Sequence, residues 1–147
     1  MIPLPSLAPD NTRTSDRTIY VTAADMQRLR ALVTNGKTSR EDLRALSAEL
    51  DRAHVVTPAE IPGDVITMNS KARLRELLTD DVMTYTLVFP DLADYEFRRI
   101  SVLAPIGTAM LGHREGVEFE WVVPAGPVRL RVEKVIYQPE AAGHLYR

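Results

Sequence analysis

A chain of 147 residues holds one ordinary domain, or one small domain with an appendage. Its 45% hydrophobic and 26% charged residues are the balance of a soluble globular protein, and 18 basic against 20 acidic side chains leave a net charge of −2, which gives no general attraction to nucleic acid or anionic lipid. The absence of cysteine excludes disulfides, thiolate metal sites and cysteine nucleophiles, and fits a reducing cytosol.

The first stretch, MIPLPSLAPDNTRTSDRT, has no positive region ahead of an apolar run, and its prolines interrupt any signal-peptide core. Residues 1–18 therefore read as a flexible leader or a surface strap. No segment approaches the ~18 consecutive apolar residues of a membrane span, so a soluble, cytoplasmic protein without membrane contact is expected. Ile19–Val21 is a short extended lead-in. Thr22 stands at a helix N-cap position with Asp25 three residues on, where a carboxylate favours the positive helix start.

That helix should run to about Thr34, with Ala23, Met26, Leu29 and Leu32 or Val33 as its apolar stripe and Asn35-Gly36 as its left-handed stop. Thr38-Ser-Arg-Glu41 is a capping box, and Leu43, Leu46, Leu50 and Ala53 follow at alternating spacings of three and four. Two short helices with matching seams and a tight turn predict an antiparallel hairpin over 19–57. Pro58 and Pro62, within Val55–Gly63, break the pattern, so a second domain is expected over 58–147.

After that boundary the signals are those of sheet. Strands are predicted at Val65–Met68, Ala72–Leu78 and Val82–Phe89, with an Asp80-Asp81 turn before the third. Pro90–Phe97 is an acidic connection, Arg98–Leu103 returns to strand, and Pro105 opens a short helix at the position where a missing N–H costs nothing. Val117, Phe119, Trp121 and Val123 alternate with Glu118 and Glu120, and Val128, Leu130 and Val132 alternate with Arg129, Arg131 and Glu133. PAGP at 124–127 turns between these partners. The fold class is α+β: a short antiparallel helical hairpin followed by a twisted, mainly antiparallel sheet packed on one short helix.

Chemistry-bearing patterns are sparse. His54, at the second helix end, His113, in an exposed turn past Gly112, and His144, in the tail, are far apart and lack the i, i+4 spacing of a helical metal pair. There is no Walker motif and no GxGxxG. At the hairpin tip, Glu41 completes the capping box with Thr38 and Asp42 favours the helix start, needs that arise in any helix beginning there. Lys37, Arg40, Arg28, Arg30, Arg44 and Arg52, mixed with Asp25, Glu49 and Asp51, read as a solvated face. The turn Leu103-Ala104-Pro105-Ile106-Gly107 switches the chain from strand to helix, while Ile106, Met110 and Leu111 fill the core. Phe89, Phe119 and Trp121, on strand positions, read as core.

The segment ISVLAPIGTAMLG at 100–112, with Gly116, the PAGP turn and the final strand, resembles the C-terminal, FKBP-like domain of the bacterial Gre transcript-cleavage factors. VITMNSKARLREL, where Asn69-Ser70 follows the first strand, extends the resemblance, which covers about Thr22–Tyr137. Gre factors carry a long helical hairpin ahead of that domain. The short one here is the pattern of their relatives called regulator of nucleoside diphosphate kinase.

The resemblance implies a transcription accessory factor that docks on RNA polymerase at the secondary-channel rim, through the β′ subunit. Leu103, Ala104, Pro105, Ile106 and Gly107 would be the grip, and the tip residues Lys37, Arg40, Glu41 and Asp42 a plug in the entrance. In the family an acidic residue and a serine precede Pro-Ile-Gly; here those positions are Leu103 and Ala104. Gre factors use tip carboxylates to hold a metal ion in the polymerase active centre. Arms of about 12 to 16 residues, at ~1.5 Å each, project only roughly 18–24 Å and should stop short of it. The expectation is therefore competition with Gre-type factors, with no enzyme activity, no catalytic or metal-binding residue, no cofactor, no direct nucleic-acid contact and a monomeric state. A cleavage enhancer using Glu41 and Asp42, or an FKBP-type prolyl isomerase with Phe89, Phe119 and Trp121 lining a groove, are the alternatives. An influence on nucleoside diphosphate kinase would be indirect, through transcription.

Overall fold

The computed structural model describes residues 19–35, 40–123 and 126–143; the leader, Lys37, Thr38, Pro124 and His144 lie outside them. Strand β1 (Tyr20–Thr22) leads into helix α1 (Ala23–Asn35), and helix α2 (Arg40–Arg52) leads into strand β2 (His54–Val56). The predicted cap is present: the Asp25 backbone N–H donates to Thr22 Oγ1 at 3.2 Å. Leu29, Leu46 and Leu50 are buried between the helices, with Met26, Leu32, Val33 and Leu43 packed around them. Arg30 and Asp51 pair across the two helices at 2.8 Å.

The base of the hairpin is closed by a feature the sequence reading did not contain. Strands β1 and β2 pair in parallel, Tyr20 against His54 and Thr22 against Val56. His54 therefore opens a strand and does not end the second helix, and its ring meets Tyr20 edge-on at 5.7 Å.

Five further strands form one sheet: β3 (Lys71–Glu76), β4 (Val82–Val88), β5 (Arg99–Ser101), β6 (Glu118–Val123) and β7 (Gly126–Tyr137), in the order β5-β4-β3-β7-β6. All neighbours are antiparallel except β4 and β5. The predicted partnership of the last two strands holds, with Phe119 opposite Leu130 and Glu118 opposite Arg131. Helix α3 (Pro105–Met110) packs on the apolar face through Ile106 and Met110, against Leu74, Leu87, Ile100, Val102, Leu130 and Val132. The same buried cluster includes Leu29, Leu46 and Leu50, so hairpin and sheet share one core. Each fully buried leucine there contributes about 1.5–3 kcal/mol.

Three expectations need correction. Val65–Met68 is not a strand: it has a single bridge, Val65 to Arg114, although all four residues are buried. Its backbone is satisfied elsewhere, because Ile66 N–H donates to His113 O and its carbonyl accepts from Gly112 N–H. Asn69, at φ 69°, then turns the chain out of any extended path.

Strand β3 ends at Glu76, two residues early, and Leu78 is 90% exposed. Its hairpin with β4 closes through Asp80 in the left-handed region. Finally, His113 is not exposed; it is 2% accessible and stacks on Phe119 with ring centroids 5.5 Å apart. The turn after Gly112 folds inward because both of its carbonyls are engaged, Gly112 O by Tyr20 N–H and His113 O by Ile66 N–H.

Strand β7 also runs on to Tyr137. The register shift against β3 between Arg73 and Leu74 changes the apolar phase, so that Val132 and Val135 both point inward although three residues apart.

Candidate functional site

The turn between β5 and α3 is a tightly bonded object. Ser101 Oγ accepts from Leu103 N–H at 3.0 Å, and Ser101 O accepts from Ala104 N–H at 3.0 Å. Thr108 donates its hydroxyl to Val102 O at 2.6 Å and its N–H to Ala104 O at 2.9 Å. Pro105 occupies the first helical position, and Ala104, the residue before it, gives no side-chain cap.

Gly107 has no room for a side chain: a β-carbon there would lie 2.0 Å from Ser101 O. The glycine of Pro-Ile-Gly is thus what lets helix α3 lie against the end of β5. Leu103 (8% accessible), Ile106 and Gly107 face inward and hold the shape of the turn. Ala104, half-buried, and Pro105, exposed, are what it offers to the outside.

At the hairpin tip, helix α2 begins at Arg40 and Glu41 is exposed. Lys37 and the side chains of Arg40 and Asp42 lie outside the described residues. The two helices have 13 residues each, which at ~1.5 Å per residue gives arms of about 20 Å. Among the described residues, no three His, Cys, Asp or Glu side chains lie close enough together to hold a metal ion. Phe119 is buried in the core; Phe89 is also buried, beneath the Arg28 guanidinium at 4.0 Å, and its edge borders an open depression beside Leu32 and Pro90. The Trp121 side chain lies outside the described residues.

A second cluster joins the hairpin to the sheet domain, and sequence reasoning missed it. Helix α4 (Pro139–Ala142) is capped by the Gln138 side chain, whose oxygen accepts from Ala141 N–H at 3.1 Å. The Gln138 amide donates to Pro62 O at 2.7 Å and Val65 O at 2.8 Å, tying the C-terminal segment to the connection between the two parts. Glu140 accepts from the Thr67 hydroxyl at 2.7 Å.

Asp25, in the first turn of α1, is pushed up to about 6 from the ordinary 3.8. Burial is the main cause and the negative Glu140 adds to it, against the Thr22 hydroxyl, Arg28 and the Met68 N–H. The signal for α4 was available: Gln-Pro at the start and Gly143, at φ 80°, at the stop bracket a single turn.

Comparison with known proteins places these parts. The family profile described as transcription elongation factor GreA/GreB, C-terminal, matches residues 61–137, and that of the Rnk N-terminus matches residues 17–56. The regulator of nucleoside diphosphate kinase of Escherichia coli K12 is 46% identical over 100 residues, covering 67% of this chain and 74% of its own length. The transcription elongation factor GreA of Syntrophotalea carbinolica is 33% identical over 95 residues, 65% of this chain and 60% of that factor. A solved GreA/GreB elongation factor from Nitrosomonas europaea is 40% identical, with a TM-score of 0.69 over 82% of this chain and 98% of that one. These relatives are regulators and transcription factors.

Proposed function

The chain belongs to the GreA/GreB transcription elongation factor family, as a member with an Rnk-type N-terminus, and from that premise we propose that it docks on RNA polymerase at the rim of the secondary channel and competes with Gre-type factors without cleaving transcript. The grip is the turn at Ala104 and Pro105, set in shape by Leu103, Ile106 and Gly107, and its counterpart is the β′ subunit. The hairpin acts by occupancy. The observation that carries this reading is arm length: 13-residue helices make arms of about 20 Å, too short to bring Glu41 and Asp42 to a catalytic metal deep in the channel.

Ala104 and Pro105, the residues the turn offers to the outside, fit an apolar contact at the grip. Leu103 is engaged in the core, so an acidic residue there would face into the protein. The test is binding of the purified protein to core polymerase in competition with a labelled Gre factor from the same organism. Mutual displacement supports docking at the channel entrance; binding without displacement moves the site, and no binding sinks the reading.

A further inference from the structure

The solvent face of the sheet is charged unevenly. In register across it, Arg99 on β5, Thr86 on β4 and Lys71 on β3 form one row. Arg73 opposite Lys134 stands in the next row, and Arg75 opposite Arg131 in the one beyond. Toward β6, Arg75, Arg129 and Arg131 are neutralised, whereas Arg73 and Lys134 carry no ion pair among the described residues. Arg75 pairs with Glu133 at 2.9 Å and Asp80 at 3.0 Å, and Arg131 and Arg129 share Glu118 at 3.0 and 3.6 Å.

Toward β5 the cations are not neutralised. Among the described residues, Lys71 and Arg99 have no ion-pair partner, and Arg99 lies over the Phe97 ring at 5.5 Å. Asp94, whose backbone bonds that of Arg99, turns its carboxylate to accept from Glu96 N–H at 3.0 Å.

Between Lys71 and Arg99 lies a cleft of about 490 Å3, with Thr86 in its floor and Val88 and Leu92 along one side. Strands spaced by ~4.8 Å put the backbones of Lys71 and Arg99 about 10 Å apart on either side of Thr86, so a carboxylate seated over Thr86 would have a donor on each flank and a hydroxyl beneath it. The apolar side would take an aliphatic neighbour of that carboxylate. Tyr95 and Phe97, 84% and 66% accessible, extend the apolar border outward. Exposed aromatics beside arginine are the composition of protein interfaces.

Strand β5 carries Arg99 at its start and runs through Ser101 into the turn at Ala104–Pro105, so cleft and grip lie at the two ends of one short strand. We infer that the cleft bounded by Lys71, Thr86 and Arg99 receives an acidic side chain, next to an apolar one, from the polymerase segment that the turn grips. This rests on the docking reading above and extends it from a turn to a surface.

The full-length protein and three variants test it through their affinity for core polymerase at two salt concentrations. Lys71→Glu with Arg99→Glu should weaken binding about tenfold or more and flatten its salt dependence. Lys71→Arg should keep it, and Arg129→Glu, on the neutralised half of the same face, should stay within about twofold. All three positions changed are exposed, so unfolding midpoints should agree and serve as the folding control. Wild-type affinity and salt dependence in the double charge reversal would overturn the cleft while leaving the docking reading standing. Failure of the wild-type protein to bind polymerase would overturn both. Binding of a short single-stranded RNA that the reversal abolishes, with polymerase affinity untouched, would overturn the assignment in favour of a nucleic acid.

Discussion

Gly112 and Ile19 pack so closely that a β-carbon on the glycine would lie 2.4 Å from that of the isoleucine and 3.0 Å from Tyr20 N. The contact joins the end of helix α3 to the lead-in of the hairpin, and Tyr20 N–H donates to Gly112 O across it at 3.2 Å. Both the space and the φ of 80° exclude a side chain.

Gly112→Ala should therefore destabilise the protein by about 2–4 kcal/mol, the left-handed backbone and the overpacking adding together. Gly116 is the control, since its φ is 89° but nothing lies within 4 Å of its added β-carbon. Gly116→Ala should cost only about 1–2 kcal/mol. Urea unfolding of the two variants gives the comparison, and equal losses would mean that the contact with Ile19 relaxes freely.

The buried position of Asp25 makes stability depend on pH with a definite sign. Its carboxyl titrates at about 6 in the folded chain against 3.8 ordinarily, so the folded state binds the proton more tightly. The stability it contributes is present below the unfolded value, falls as pH rises between about 4 and 6, and is flat above. The gap corresponds to at most about 3 kcal/mol. Asp25→Asn should match wild type near pH 4 and exceed it near pH 7. Parallel stability profiles of the two proteins across that range would show that Asp25 is better solvated than its burial near the negative Glu140 implies.

Gln138 has one side chain and three bonds: two donated to Pro62 O and Val65 O, one accepted from Ala141 N–H. Gln138→Ala leaves two carbonyls without that donor and helix α4 without its cap, so a loss of about 2–4 kcal/mol is expected. Amide exchange should rise most at the Gly143 and Ala142 N–H groups, which bond back into that turn. A loss spread evenly over all seven strands would argue for global unfolding and against a local clamp.

At the turn, sequence alone could not say which way Leu103 faces. The order Pro-Ile-Gly was legible as a strand-to-helix switch. The inward set of Leu103 follows from its N–H bond to Ser101 Oγ, a contact that no periodicity encodes. Strands β6 and β7 were legible because one face of each is buried, so Phe119 and Leu130 recur with period two. Val65–Met68 was misread because an apolar run buried on all sides carries no period, and its partners, Gly112, His113 and Gln138, are remote in sequence. The cleft shared that obstacle, since Lys71, Thr86 and Arg99 meet only through strand register.

The orientation of Leu103 bears directly on the family's acidic position. Leu103→Asp puts a carboxylate into the core and should cost more than about 3 kcal/mol, or fail to fold, instead of strengthening docking. Ala104→Ser, at a half-buried position, should change stability by less than about 0.5 kcal/mol. Its effect on polymerase affinity then reads the surface contribution of the turn cleanly. If Leu103→Asp folds with wild-type stability, the turn can rotate outward and Leu103 itself becomes a contact residue.

The hairpin tip separates occupancy from chemistry. Glu41 is exposed at the start of a 13-residue helix, and neither it nor Asp42 is needed for the leucine seam of Leu46 and Leu50. Glu41→Ala with Asp42→Ala removes both carboxylates at a helix start, where each contributes about 0.3–1 kcal/mol, so the fold should survive. A plug that works by filling the channel entrance should inhibit Gre-dependent cleavage as well in the double variant as in wild type. A cleavage enhancer would show stimulated cleavage in the wild-type protein and lose it in the variant, because no other tip carboxylate remains to hold a metal. The decisive measurement is transcript cleavage by stalled complexes with each protein added alone and in excess over a Gre factor. Stimulation by the wild type alone would mean that arms of about 20 Å reach the active centre, and the occupancy reading would fall with it.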